Sequence, residues 1–353
     1  MRPLTFLLIF ILASFLIACE TKVDIHIEGE ESAVVIGLLD PTLDTQFVKI
    51  THTFLTDGNA FDVAQIQEMS EYHDLEAYVI VYDGSDSVDS YLLQEKTVTD
   101  KDSGVFYYPA QTVYYFTEPL NYDYMYELKF FGSENEVSST TEIVGDFNTN
   151  ISILFPTISL VEEFDFSGSK YQNKSIIIET SKNTKRYQFT FRYHYLEIYI
   201  DGTEIEKHLD FKYAPIITST LMGSEMFEVV IDGNSFYQNL AGRILAQNNE
   251  ENVLKRIIGK MDYIFEYAGD DFNTFIALNE PSTSSINIEA NPYTNVINGI
   301  GVWSSRGNAV FIDREFSISI PSSILEMAFG QYTGDLKFCS DAPAHVGTSW
   351  GCN

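Results

Sequence analysis

The chain has 353 residues, too many for one typical domain, and 45% of them are hydrophobic, enough to build real cores rather than a disordered coil. Acids number 51 against 21 bases, and the net charge of −30 opposes binding to nucleic acid and to anionic lipid headgroups. Aromatics reach 14%, with 26 Phe and 22 Tyr, residue types that favour strands.

Leu4 to Ala18 is apolar apart from Thr5 and Ser14, and Arg2 precedes it. The run is shorter than the roughly 20 residues that span a bilayer and has the flanks of a secretory signal. Residues 1–18 are therefore read as a signal peptide, outside the fold. The run stops at Leu16-Ile17-Ala18-Cys19, which resembles the bacterial lipobox. That resemblance implies cleavage before Cys19 and acylation of its thiol. Each buried CH₂ contributes about 0.8 kcal/mol, so two or three acyl chains make a stable anchor. Residues 19–31, CETKVDIHIEGEE, read as an acidic tether.

Residues 32–150 read as an immunoglobulin-like antiparallel sandwich. Ser32 to Leu39 is an apolar strand, and Gln46 to Leu55 alternates. Phe61, Ala64, Ile66 and Met69 lie close to a helical stripe, which predicts a short helix on the sheet edge. Leu75 to Tyr82, LEAYVIVY, is a strand that Asp83-Gly84 breaks. Ser90–Val98, Gly104–Tyr108, Thr112–Glu118, Tyr122–Phe131 and Glu136–Val144 continue the strand series. Turn signals between them recur every eight to twelve residues or so, the spacing of a sandwich.

Residues 151–330 read as a second β-rich domain with a few short helices. KSIIIETS and the long KRYQFTFRYHYLEIYID are strands. In the latter, Tyr187, Phe189, Phe191, Tyr193 and Tyr195 share a face. The apolar phase then passes to Leu196, Ile198 and Ile200, the mark of a bulge in this strand. Asp201-Gly202 turns the chain into Thr203–Tyr213. SFYQNLAGRILAQ is a helix with Phe236, Leu240 and Ile244 on one face, capped by Asn234 or Ser235. Met261–Tyr267 is a strand, Asp270–Leu278 a short helix, and Asn298–Arg314 a Gly-rich strand, turn and strand.

Residues 331–353 read as a C-terminal loop closed by a Cys339–Cys352 disulfide, since export puts both thiols where disulfides persist. A metal site there is poorer, because His345 is the only imidazole nearby. Gly347–Gly351, GTSWG, fits the G-x-S-x-G nucleophile elbow. That elbow needs a helix, an acid and a His after it, and only Cys352 and Asn353 follow. Asp83, Asp86 and Asp89 lack EF-hand spacing, and the six histidines form no ligand pattern. The expectation is a protein that is not an enzyme and holds no cofactor and no metal.

The lipobox and its following strand, TFLTDGNAFDVAQ with YHDLEAYVIVYD, and NGIGVWSSR (Asn298–Arg306) resemble a family of uncharacterised Bacteroidota outer-membrane lipoproteins. The family is a domain of unknown function whose members often accompany TonB-dependent receptors. The resemblance implies a lipid-anchored accessory of an outer-membrane β-barrel or TonB-dependent receptor, acting in nutrient uptake or envelope assembly. Lys22-Val23-Asp24 loosely matches that phylum's surface signal, so the expected location is the outer membrane, facing the periplasm or, slightly favoured, the cell surface. The alternative is an exported hydrolase acting on glycans or peptides. Trp303 and Arg306 are the expected partner anchors, because Trp and Arg dominate interface hot spots, with core packing as the other reading of Trp303.

Overall fold

The structure is a computed structural model that describes residues 31–56, 58–99, 101–132, 135–149, 156–247, 251–279 and 293–352. The signal peptide, Cys19 and the tether up to residue 30 lie outside the described residues.

Eight strands come first: β1 (Ala33–Leu39), β2 (Gln46–His52), β3 (Ala77–Asp83), β4 (Asp86–Leu92), β5 (Gln94–Val98), β6 (Gln111–Phe116), β7 (Met125–Phe131) and β8 (Glu136–Glu142). They pair in the orders β1-β2-β6-β5 and β4-β3-β7-β8. These are the A-B-E-D and C-F-G arrangements of an immunoglobulin-like sandwich, with a C′ strand beside C. Alternation explains why the two sheets stack. Val35, Val48 and Tyr114 on one sheet and Val79, Leu128 and Phe130 on the other are all buried in one core, while polar neighbours face out.

The expected strand Ser90–Val98 is two strands. The chain crosses from one sheet to the other at buried Leu93, whose N–H donates to Ala77 O at 2.8 Å. Gly104–Tyr108 is a loop rather than a strand. Its aromatic, β-branched composition suits a strand, but its backbone groups bond to another loop instead of a ladder.

Twelve strands follow: β9 (Asn148–Thr149), β10 (Thr157–Ile158), β11 (Val161–Glu163), β12 (Lys170–Tyr171), β13 (Asn173–Glu179), β14 (Arg186–Tyr199), β15 (Glu204–Lys212), β16 (Ile216–Ile217), β17 (Met226–Asp232), β18 (Val253–Ala268), β19 (Gly299–Phe316) and β20 (Phe338–Cys339). The aromatic face of β14 lies in a second core with β13, β17 and the helices Gly233–Leu245 and Ser322–Phe329. Phe236, Leu240 and Ile244 are the buried face of Gly233–Leu245, as their spacing predicts. Its N-cap is Asp232, two residues before Asn234, with the carboxylate accepting from Ser235 N–H at 2.7 Å.

The two cores meet at Ile143, in the first, and Val144, in the second. Strand β19 joins them. Residues 299–305 pair in parallel with β1 from Ala33 to Leu39, and residues 306–314 pair antiparallel with β18. One sheet therefore runs β15-β14-β18-β19-β1-β2-β6-β5 through both halves, and Ser32–Asn353 forms one compact unit. At Gly301, φ is 116° and any Cβ would fall 1.9 Å from Val35 O, so only glycine lets β19 lie this close to β1. The expected turn within Asn298–Arg314 is absent. Ser304 and Ser305, within the strand, are held by neighbours: Ser304 Oγ accepts from Phe272 N–H, and Ser305 Oγ donates to Glu142 O at 2.7 Å.

The expected bulge in β14 also falls elsewhere. Tyr195 and Glu197 stay on the buried face, Leu196 and Ile198 face away, and Ile200 is exposed. The extra residue is in β18: Tyr193 pairs with Met261 and Tyr195 with Ile258. Gly259 sits there because a Cβ would lie 2.4 Å from His194 O. The buried acid Glu197 faces its register partner Arg256, also fully buried, at 2.9 Å. Arg256 Nη1 donates to Leu336 O at 2.9 Å, and Tyr199 OH donates to Glu197 at 2.7 Å.

Cys339 and Cys352 are disulfide-bonded, with Cα atoms 5.0 Å apart. The C-terminal segment is nevertheless not a loop held by that bond alone. Leu336 and Phe338 are buried in the second core, and β20 pairs with β18.

Candidate partner-binding surface

The two residues expected to anchor a partner are separated by the alternation of β19. Trp303 is fully buried. Its indole N–H donates to Tyr126 O at 3.0 Å, and its backbone exchanges two bonds with the Asn295 side chain. Gly37, its register partner, leaves the room for the ring: a Cβ there would lie 2.4 Å from Trp303 Cε3. Trp303 is thus a core residue, and its expected role as a surface anchor is corrected. Arg306 is half-exposed, and its Nε lies 3.7 Å from Asp40, whose other oxygen accepts from Thr42.

One group of exposed apolar side chains lies at one end of the sandwich. Strands B and E leave that end through the insertion 53–76, between β2 and β3, and the loop 99–110, between β5 and β6. The insertion opens with the helix Ala60–Val63, capped by Asn59, whose side chain accepts from Phe61 N–H. It closes on buried Glu71. That carboxylate accepts from Lys49 Nζ at 2.8 Å, Gln67 Nε2 at 2.7 Å, and the Thr112 hydroxyl at 2.7 Å and N–H. Lys49 also donates to Thr112 O.

The two loops are fastened to each other. Tyr107 N–H donates to Ala64 O at 2.8 Å, and Gln65 Nε2 donates to the carbonyls of Gly104 and Val105. Lys101 Nζ donates to Tyr107 O and lies 5.9 Å from the Phe106 ring centroid. Burial lowers the Lys101 pKa, and Lys49 adds to that effect. With their backbones fixed, the loops hold Leu55, Phe61, Ile66, Val105, Phe106 and Tyr108 in solvent; Phe61 is 67% and Phe106 54% exposed. Large apolar side chains gathered on fixed loops make this a candidate interaction surface. Composition read this region as strand and helix and missed the surface. The signal that was available is the density of apolar residues between turn residues, in DGNAF and SGVFYYP.

Burial raises the Glu71 pKa, but the bonds from Lys49, Gln67 and Thr112 outweigh it, so the group sits below its ordinary value of 4.5. The unfolded chain then takes up the proton first as pH falls. The stabilisation is full above about pH 4.5 and is lost as pH drops through the lower folded value. Glu71→Gln is expected to cost about 1–3 kcal/mol at pH 7. The gap to wild type should narrow on acidification in thermal melts at neutral and acid pH. A gap that stays constant would mean the ionised carboxylate is not what holds the insertion.

Other chemically suggestive groups have structural partners. His345 Nδ1 lies 2.8 Å from Ser340 Oγ, and both are buried. That hydroxyl also accepts from Ala342 N–H, and His345 meets Trp350 edge to face, so the pair closes the turn of the disulfide loop. Buried Glu326 accepts from Ser169 and from Tyr171 at 2.6 Å. Among the described residues no three His, Cys, Asp or Glu side chains gather as a metal site.

No protein-family model matches the chain, and no curated protein is similar to it. Among solved structures, one similar chain is the C-terminal globular domain of an oligosaccharyltransferase from Pyrococcus abyssi. The identity is 10% and the TM-score 0.25, over 67% of this chain and 47% of that one. The chain thus spans about half the length of that structure, and a likeness this shallow carries no argument.

Proposed function

We propose that this protein is a lipid-anchored lipoprotein of the outer membrane that works by binding, as an accessory of a β-barrel such as a TonB-dependent receptor. The observation that carries the reading is the pair of cross-bonded loops presenting six large apolar side chains at one end of the sandwich. The lipobox at Cys19 supports a membrane tether, and the net charge of −30 disfavours the anionic membrane surface itself as the loops' target. A protein partner of ordinary size would bury roughly 1,200–2,000 Å² in total, centred on the aromatic tips.

Two variants test the two parts of this reading. Cys19→Ala is expected to move the protein from the membrane to the soluble fraction. If it stays in the membrane or still carries acyl chains by mass, the anchor is wrong. Phe61→Ser/Phe106→Ser is expected to keep the wild-type melting temperature, since both side chains already face water. Mild-detergent extraction and mass spectrometry should show that it loses the barrel that co-purifies with wild type. An unchanged set of co-purifying proteins would remove the loops from the interface.

A further inference from the structure

Strand β18 has β14 along one edge from end to end, but its other edge is shared. Strand β19 occupies it down to Met261, paired with Arg314, and then leaves to pair with β10. Strand β20 occupies it from Arg256 to Ile257. Ile258, Gly259 and Lys260 fall between the two, and among the described residues no strand lies beside them on that edge. A cleft of about 750 Å³ opens at this fork, within the roughly 300–1,000 Å³ range of ligand sites.

The walls of the cleft differ in character. Ile312 and Ile318, on the β19 side, are exposed at 59% and 41%. Around them stand five carboxylates, from Glu206, Asp262, Asp313, Glu315 and Asp341, against two lysines and one histidine. His194 lies 2.8 Å from Asp262, and Lys260 lies 3.1 Å from Asp313 and 3.6 Å from Glu315. Glu206 and Asp341 are exposed at the rim with their charges unmatched.

We propose that this cleft receives an extended, basic peptide segment that adds as a short strand beside Ile258–Lys260. Three features select that occupant together. The gap leaves Ile258 and Lys260 open to another strand, with Gly259 N–H turned to the Tyr193 hydroxyl, and strand addition is the binding mode that uses such an edge. Side chains of a strand alternate in direction, so one set meets Ile312 and Ile318. The excess of carboxylates favours Lys or Arg in the other set. The site is far in the fold from the apolar loops and does not depend on the docking assigned to them.

The test uses the full-length protein in mild detergent and fluorescein-labelled hexapeptides. An alternating Val-Lys peptide is expected to bind about tenfold or more tighter than an alternating Val-Glu one. The same Val-Lys peptide N-methylated at every backbone amide keeps its charge but loses its backbone donors, and is expected to lose binding about as fully. Glu206→Gln/Asp341→Asn, which touches no bond of the fold, should weaken the Val-Lys peptide roughly threefold to tenfold. Phe61→Ser/Phe106→Ser should bind it like wild type. Equal binding of the Val-Glu or the methylated peptide, no effect of the rim variant, or loss of binding in the loop variant would each overturn the assignment.

Discussion

Arg256→Ala is expected to lower the free energy of unfolding by about 3–5 kcal/mol. Glu197 and Arg256 are both fully buried, and the guanidinium meets the carboxylate through Nη2 at 2.9 Å and Nε at 3.0 Å. Truncating the arginine leaves the carboxylate in the core without its guanidinium, beside Tyr199 OH and a lysine 4.0 Å away. It also removes the donor to Leu336 O, which ties the C-terminal segment to β18. The pair itself is not the source of that whole figure, because taking two charges out of water offsets much of their attraction. Glu197→Leu/Arg256→Met should therefore recover most of the loss, leaving a coupling of several kcal/mol between the two sites. Urea titrations of Glu197→Leu, Arg256→Met and the double variant measure it. Single variants within about 1 kcal/mol of wild type would show that the pair is not buried as described.

Trp303→Ala is expected to cost about 3–5 kcal/mol, the range for removing a large aromatic from a core. The ring lies in the first core, its N–H is bonded to Tyr126 O, and its outline is matched by the missing side chain of Gly37. Trp303 also sits on the segment of β19 that pairs with β1, so its loss loosens the joint between the two halves. Gly37→Ala attacks the same contact from the other side, because the added methyl overlaps the ring. Thermal melts of both variants check the packing. A Trp303→Ala protein with the wild-type melting temperature would return the residue to the surface role that its sequence context suggests.

The sandwich was legible where one face of a strand is buried and the other wet. LEAYVIVY alternates and ends at Asp83-Gly84, so its register and its end are both local properties of the sequence. Partners far apart in the chain were not legible. Nothing local to Ala33–Leu39 says that Gly299–Ser305 will lie beside it. That pairing is why Trp303 read as a surface residue in a Gly-rich hairpin and is instead in a core. Glu197 misled for a related reason. An acid in an aromatic strand reads as a solvent-facing position, so the phase reads as shifted there. Only its cross-strand neighbour Arg256 makes burial tolerable. The strand read from Met261 in fact begins at Val253 and runs through Gly259, which marks the bulge against His194 O. The candidate surface was hidden because aromatic, β-branched loop residues have strand composition, and only the bonds from Gln65 and Tyr107 show that they are loops.

Photocrosslinking in living cells tests the central claim most directly. A benzophenone amino acid replaces Phe106 on the loop surface in one strain. In another it replaces Phe166, an aromatic 82% exposed on the loop between β11 and β12, in the second half of the fold. A protein that docks to an outer-membrane barrel through its sandwich loops gives one discrete high-mass adduct from position 106, containing the barrel, and none from position 166. No adduct at position 106, or the same adducts from both positions, would contradict it.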